Sequence, residues 1–258
     1  MSKIQKAFEN GKAFIGFVTG GDPSIEKSCE LILDMAESGA DLIEIGIPFS
    51  DPIAEGPVIQ EANIRALSAG ADTEAMFRIV ETVRKQTDTP LVFLTYLNPV
   101  FKYGYERFFS RCESVGLDGI IIPDLPFEEK GELSGIAESH HVDVISLIAP
   151  TSADRIRKIA AEAKGFLYIV SSMGVTGMRS EIKTDLASII ETARSVSKIP
   201  VAVGFGINTP EQAHKLSKLA DGVIVGSAIV KLIEQYGENA GGHLSAYVRE
   251  MKDSIRAR

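Results

Sequence analysis

The feature that most constrains this chain is a repeated alternation between two kinds of apolar pattern. Eight apolar, β-rich runs recur at residues 13–19, 42–48, 91–97, 119–123, 142–148, 166–171, 201–205 and 222–225. Most are continuous apolar stretches with little alternation, as in strands of a parallel sheet covered on both faces. Helical patterns fill the gaps. Ile25, Cys29, Ile32 and Ala36 fall at i, i+4, i+7 and i+11, and Gly39 is placed to end that helix. Ile156, Ile159 and Ala160 make a second stripe, and Asn208-Thr-Pro210 opens a third helix with a capping residue followed by proline. Eight strands, each followed by a helix, close into a (β/α)8 TIM barrel, an α/β fold that typically needs about 250 residues. The chain has 258 residues and no Pro/Gly/Ser-rich linker divides it, so it reads as a single (β/α)8-barrel domain over 1–258. An open doubly wound sheet is the other architecture that this alternation allows.

Charge narrows the function classes. A formal net charge of −8 disfavours polyanion partners such as nucleic acid. A phosphorylated small molecule remains open, because backbone N–H groups bind phosphate without net positive charge. Cys29 and Cys112 sit in helical patterns without a C-x-x-C spacing, which reads as free thiols in a reducing, cytoplasmic setting. No apolar run is long enough to span a membrane, and the first residues lack the apolar core of a signal peptide.

A barrel directs attention to the C-terminal ends of its strands, where active sites form. Glu44 lies inside the apolar run Asp41-Leu-Ile-Glu-Ile-Gly-Ile-Pro48. Burying a carboxylate there is costly unless it is paired. Strand parity sets Leu42, Glu44 and Gly46 on one face and Ile43, Ile45 and Ile47 on the other. If the isoleucines face helices, Glu44 points into the barrel mouth, where burial would raise its pKa into the range useful for proton transfer. The alternative is a structural glutamate satisfied by hydrogen bonds. The following loop, Pro48-Phe-Ser-Asp-Pro-Ile-Ala-Glu-Gly-Pro57, carries two more acids, Asp51 and Glu55, between restricting prolines.

The other end of the site is read from glycines. Gly204 and Gly206 follow the seventh strand, and Gly226 and Ser227 stand where the eighth strand turns into a helix. Free N–H groups and the helix dipole favour an anion at such a terminus. The segment from Ser171 to Arg179 is rich in small residues and reads as a lid. Tyr168, on one strand face with Phe166 and Val170, is placed either to meet an aromatic substrate or simply to fill the core. The four histidines lie in helical or peripheral segments, which disfavours a metal centre or a Ser-His-Asp triad.

In order along nearly the whole chain, Phe17-Val-Thr-Gly-Gly-Asp-Pro23, Glu44-Ile-Gly-Ile-Pro-Phe-Ser-Asp-Pro52, Tyr96-Leu-Asn98, Pro123-Asp-Leu-Pro126, the stretch from Ser171 to Gly177 and the two glycine segments resemble the tryptophan synthase alpha subunit family. The resemblance implies a lyase that cleaves indole-3-glycerol phosphate to indole and D-glyceraldehyde-3-phosphate by a retro-aldol reaction. It implies that Glu44 acts on C3 of the indole ring with Tyr168 beside it, and that Glu55 acts on the indole N–H. Phe17, Leu94, Tyr96, Ile121 and Leu147 would line the ring pocket. Thr176, Gly177, Phe205, Gly206, Gly226 and Ser227 would hold the phosphate end. No cofactor is expected in this chain. The resemblance also implies a beta subunit carrying pyridoxal phosphate, docked near Asp51 and Pro52 in an alpha-beta-beta-alpha heterotetramer. One position departs from the family pattern: Glu55 stands where the family has aspartate. Another phosphate-binding barrel enzyme and a catalytically weak allosteric partner of the beta subunit are the competing readings.

Overall fold

The computed structural model describes residues 3–170, 185–204 and 206–256. Its centre is a closed parallel barrel of eight strands in sequence order. These are β1 (Ala13–Thr19), β2 (Leu42–Gly46), β3 (Leu91–Leu94), β4 (Gly119–Ile121), β5 (Asp143–Ile148), β6 (Leu167–Val170), β7 (Val201–Gly204) and β8 (Gly222–Val225). Closure is made by β8 on β1, where Ala13 pairs with Gly222 and Gly16 with Val225.

The two faces of each strand enter different layers. Ile43, Ile45 and Ile47 join the layer between sheet and helices. Leu42, Ile121, Ile145, Phe166 and Tyr168 fill the barrel interior. The parity read from the sequence therefore holds, and it turns Glu44 inward.

β1 and β8 keep the boundaries expected from the sequence, whereas several others end early. β3 stops at Leu94, and a helix, Leu97–Tyr103, begins where the apolar run still reads as strand. The Leu97 N–H is taken by the Asp124 carboxylate at 2.9 Å, not by a neighbouring strand. Apolar runs overshoot here because the chain leaves the ladder at the barrel mouth while still lining it. The connection from β2 to β3 also holds two helices, Pro57–Ser68 and Thr73–Arg84, where one was expected. Gly70, at φ 84°, reverses the chain between them, and Asp72 caps the second by accepting from the Ala75 N–H at 2.7 Å.

The opposite end of the barrel is tied shut. Lys252, on the helix Ala240–Arg256, is 3% exposed and donates to the Asp41 carboxylate at 2.5 Å and to the Lys12 carbonyl at 2.8 Å. Asp41 also accepts from the Phe14 N–H at 2.7 Å. This ion pair holds the C-terminal helix to the floor under β1 and β2.

Candidate active site

The C-terminal mouth of the barrel holds a cleft lined by residues from every quarter of the barrel. Glu44, Phe17, Leu94, Leu147 and Tyr168 come up from the strands. Glu55 and Tyr96 enter from the loops that follow β2 and β3. Gly206, Gly226 and Ser227 close the side formed by β7 and β8. These residues converge because each lies on a barrel strand or in the connection that leaves its C-terminal end.

Glu44 lies between Phe17 of β1 and Val92 of β3 in the sheet register and is 1% exposed. Its Oε1 has no hydrogen-bond partner among the described residues. Removal from water penalises the charged form, and this alone pushes the carboxyl from its ordinary 4.5 up to about 8. At neutral pH the group is therefore mostly a neutral acid with a proton to give. Tyr168 is also buried, and its phenol is raised first by that burial and then by the charge of Glu44. Its room comes from Gly204 of β7, which pairs with Val170 across the β6–β7 ladder. A Cβ at Gly204 would stand 2.5 Å from the Tyr168 hydroxyl.

Glu55 is a carboxylate of a different kind. It is 7% exposed, but its Oε2 accepts from Asn63 Nδ2 at 2.6 Å. Burial raises its pKa, while Asn63 and Tyr96 pull the other way by stabilising the anion. The Tyr96 hydroxyl accepts the Ala54 N–H at 3.0 Å, and burial pushes its own pKa up to about 12, so it remains a donor. The cleft therefore contains one acid with an unpartnered oxygen that strongly favours its proton, and one whose hydrogen-bonding neighbours offset part of the same burial penalty. That is a division of labour suited to acid–base chemistry.

The helix Ser227–Tyr236 starts at the cleft wall with Gly226 at its N-cap. No side chain caps it, so the N–H groups of its first turn face the cleft end. Gly206, at φ 82°, brings backbone to the same end. An elongated ligand with an apolar ring near Phe17, Leu94 and Leu147 and an anion at Ser227 fits this layout.

Most of the residues expected from the sequence meet in the cleft. Ile121 does not line it: the side chain is fully buried in the interior cluster below. Thr176, Gly177 and Phe205 lie outside the described residues, as does the expected lid from Ser171 to Arg179. Asp51 and Pro52 are on the outer side of their loop, next to Ile53, which is 72% exposed. Sequence reasoning missed the lining residues Ala54, Ile59, Pro123, Ile207 and Ile224. It also missed Asn63, which had a signal: it is the one polar residue on the buried face, with Ile59, Ala62 and Ala66, of the helix after Glu55.

Comparison with known proteins places this geometry. The profile of the tryptophan synthase alpha chain family matches residues 3–256. The tryptophan synthase alpha chain of Lacticaseibacillus casei is 46% identical over 258 residues, covering 100% of this chain and 97% of its own length. That of Alkaliphilus metalliredigens is 50% identical over 234 residues, covering 90% and 88%. Among solved structures, tryptophan synthase subunit alpha from Legionella pneumophila superposes with a TM-score of 0.89 at 36% identity, covering 99% of each chain. A chain of the tryptophan synthase a2b2 complex from Pyrococcus furiosus, studied for its mutual activation, gives 0.86 at 35% identity, covering 94% of this chain and 99% of that one.

Proposed function

The chain belongs to the tryptophan synthase alpha chain family, and from that membership we propose how its own residues carry out the family's reaction. The reaction is the lyase step of L-tryptophan biosynthesis that splits indole-3-glycerol phosphate into indole and D-glyceraldehyde-3-phosphate. It is a retro-aldol cleavage, which needs an acid, a base and an apolar slot.

Glu44, neutral at the start, gives its proton to C3 of the indole ring. The C2–N bond gains double-bond character and the ring nitrogen becomes cationic. Glu55, as the anion, accepts the hydrogen bond of that N–H and stabilises the charge. The Glu44 carboxylate then assists removal of the proton from the hydroxyl on the adjoining glycerol carbon. The carbon–carbon bond breaks, its electron pair returns to the ring, and the hydroxyl carbon becomes the aldehyde. One proton has moved from oxygen to C3, and Glu44 ends as it began. Tyr168 flanks Glu44 and helps keep water from it. Phe17, Leu94 and Leu147 grip the ring, and Gly206, Gly226 and Ser227 hold the phosphate, with Phe205, Thr176 and Gly177 completing that end.

The observation that carries these roles is the pairing of opposite acids: Glu44 buried with an unpartnered oxygen, Glu55 buried and hydrogen-bonded. The test is release of indole from indole-3-glycerol phosphate by purified wild-type protein and by Glu44→Gln and Glu55→Ala variants. Near-wild-type turnover in either variant would remove that residue from the mechanism.

The partner belongs to the same reading. A beta subunit carrying pyridoxal phosphate docks on the mouth through Asp51, Pro52 and Ile53, giving an alpha-beta-beta-alpha heterotetramer, and this chain itself holds no cofactor. Ile53 and Phe101, 72% and 68% exposed, provide the apolar surface that such docking needs. The free thiols Cys29 and Cys112 suit a reducing cytoplasm, and no helix among the described residues is long and apolar enough to cross a membrane. Co-elution with a cognate beta subunit, lost in Ile53→Asp, tests the docking surface.

A further inference from the structure

Residues 54 and 55 are fastened at three points. The Gln60 side-chain amide donates to the Glu55 carbonyl at 2.7 Å. Asn63 donates to the Glu55 carboxylate at 2.6 Å, and the Tyr96 hydroxyl takes the Ala54 N–H. Two of the three side chains involved, Gln60 and Asn63, lie on the helix Pro57–Ser68 that Glu55 itself leads into. That helix is anchored in turn. Arg65 makes two bonds of 2.8 and 2.9 Å to the buried Asp22 carboxylate, and its guanidinium lies 3.6 Å from Glu234 on the helix that begins at Ser227.

We propose that Asn63 is a positioning residue for the ring-nitrogen chemistry: through its amide it fixes the Glu55 carboxylate, as the anion, at the place where the indole N–H is met. This rests on the role of Glu55 given above. Asn63 is 4% exposed and stands behind Glu55, outside the cleft lining, so it reaches the substrate only through that carboxylate. The arrangement also accounts for the glutamate at position 55. Its extra methylene carries the carboxylate back to Asn63, two turns into the following helix, and the hydrogen bond there fixes a side chain that would otherwise have one more free rotor. Because Arg65 follows Asn63 on the same helix, the acid that meets the ring and the helix that meets the phosphate are referred to one rigid element.

Two groups of variants test this. Asn63→Leu removes the donor. Loss of a hydrogen bond to the anion raises the Glu55 pKa, so the acid limb of the kcat profile should move to higher pH by about one unit. A displaced carboxylate should lower kcat about 10- to 100-fold at neutral pH, with KM for substrate and competition by glycerol phosphate within about threefold of wild type. The second group shifts one methylene across the contact. Glu55→Asp alone leaves the carboxylate short of Asn63, and Asn63→Gln alone crowds Glu55, so each should lose activity. The double variant restores the combined reach and should be more active than either single variant. Far-ultraviolet circular dichroism and thermal melting establish that each variant is folded. An unshifted acid limb in a folded Asn63→Leu protein, or a double variant no better than Glu55→Asp, overturns the proposal. Glu55→Ala separates the two readings: if it keeps full activity, the role of Glu55 itself fails; if it is inactive while Asn63→Leu behaves as wild type, only the positioning role fails.

Discussion

Replacing Glu44 by glutamine should make the folded protein relatively more stable as pH rises while it abolishes catalysis. The folded-state pKa of Glu44 is raised from 4.5 to about 8 by burial. Below about 4.5 the carboxyl is neutral in both folded and unfolded chains, and burial costs nothing extra. Between that value and 8 the unfolded chain ionises while the folded one keeps its proton, so stability falls as pH rises, by about 1.4 kcal/mol per unit at the steepest. Above 8 both are ionised and the full penalty stands, with a ceiling of about 5 kcal/mol for a shift of this size. Glutamine has the same shape and no titration. A buried amide without partners costs about 1–3 kcal/mol at every pH, so the diagnostic is the slope of the difference and not its value at one pH.

The measurement is the Tm of wild type and Glu44→Gln at a series of pH values from near 5 to near 8.5. For a domain of this size about 1 kcal/mol moves Tm by roughly 2–4 °C. The variant should therefore gain about 5–15 °C on wild type across that range, allowing for water that reaches the mouth when the acid ionises. Indole release should fall about 10²–10⁴-fold throughout. A Tm difference that stays constant with pH would show that Glu44 titrates normally, and the argument from an unpaired buried acid would collapse even if the variant were inactive.

Three further outcomes follow from the same geometry. The kcat/KM profile should be bell-shaped, with an acid limb as Glu55 takes up a proton and a fall above about pH 8 as Glu44 loses its own; loss of the basic limb in steady-state assays would detach Glu44 from proton donation. Gly226→Asp places a carboxylate beside the uncapped helix start. A Cβ there meets the Phe17 ring only at an ordinary 3.5 Å, so the fold should survive. Inorganic phosphate and glycerol phosphate should compete with substrate in wild type and fail in this variant, and unchanged competition would put the phosphate elsewhere. Titration with a cognate beta subunit should raise indole release roughly 5- to 150-fold, the range of an ordinary coupling energy of about 1–3 kcal/mol; a flat titration of an already fast chain would point to a free-standing lyase.

How far the sequence discloses this site depends on what kind of interaction places each residue. Glu44 is legible because one strand suffices: a period of two and a flanking row of isoleucines decide which way it points, and the structure turns it as that period requires. The uncapped helix start at Gly226 and Ser227 is legible for the same reason, since a glycine at a strand-to-helix turn exposes N–H groups whatever the rest of the molecule does. Ile121 shows the limit of that logic. Parity sends it inward correctly, but depth along the barrel axis depends on the stagger of neighbouring strands, and β4 is only three residues long, so its side chain falls into the layer beneath the cleft.

Loop 49–56 is the harder case. Its acids and restricting prolines read from the sequence as one loop, yet its two halves differ. Asp51 and Ile53 are exposed, while Ala54 and Glu55 are bound by Tyr96, Gln60 and Asn63. Neither proline content nor local periodicity reveals that difference, because the bonds come from the next helix and from the loop after β3. A buried asparagine on an apolar helical stripe was the one local sign, and an amide in that setting demands a partner. Its partner is the acid that departs from the family pattern. On the proposed roles, the pinned half of the loop has its acid in place before any ligand arrives, and docking on the exposed half would add closure and exclusion of water, not assembly of the acid pair.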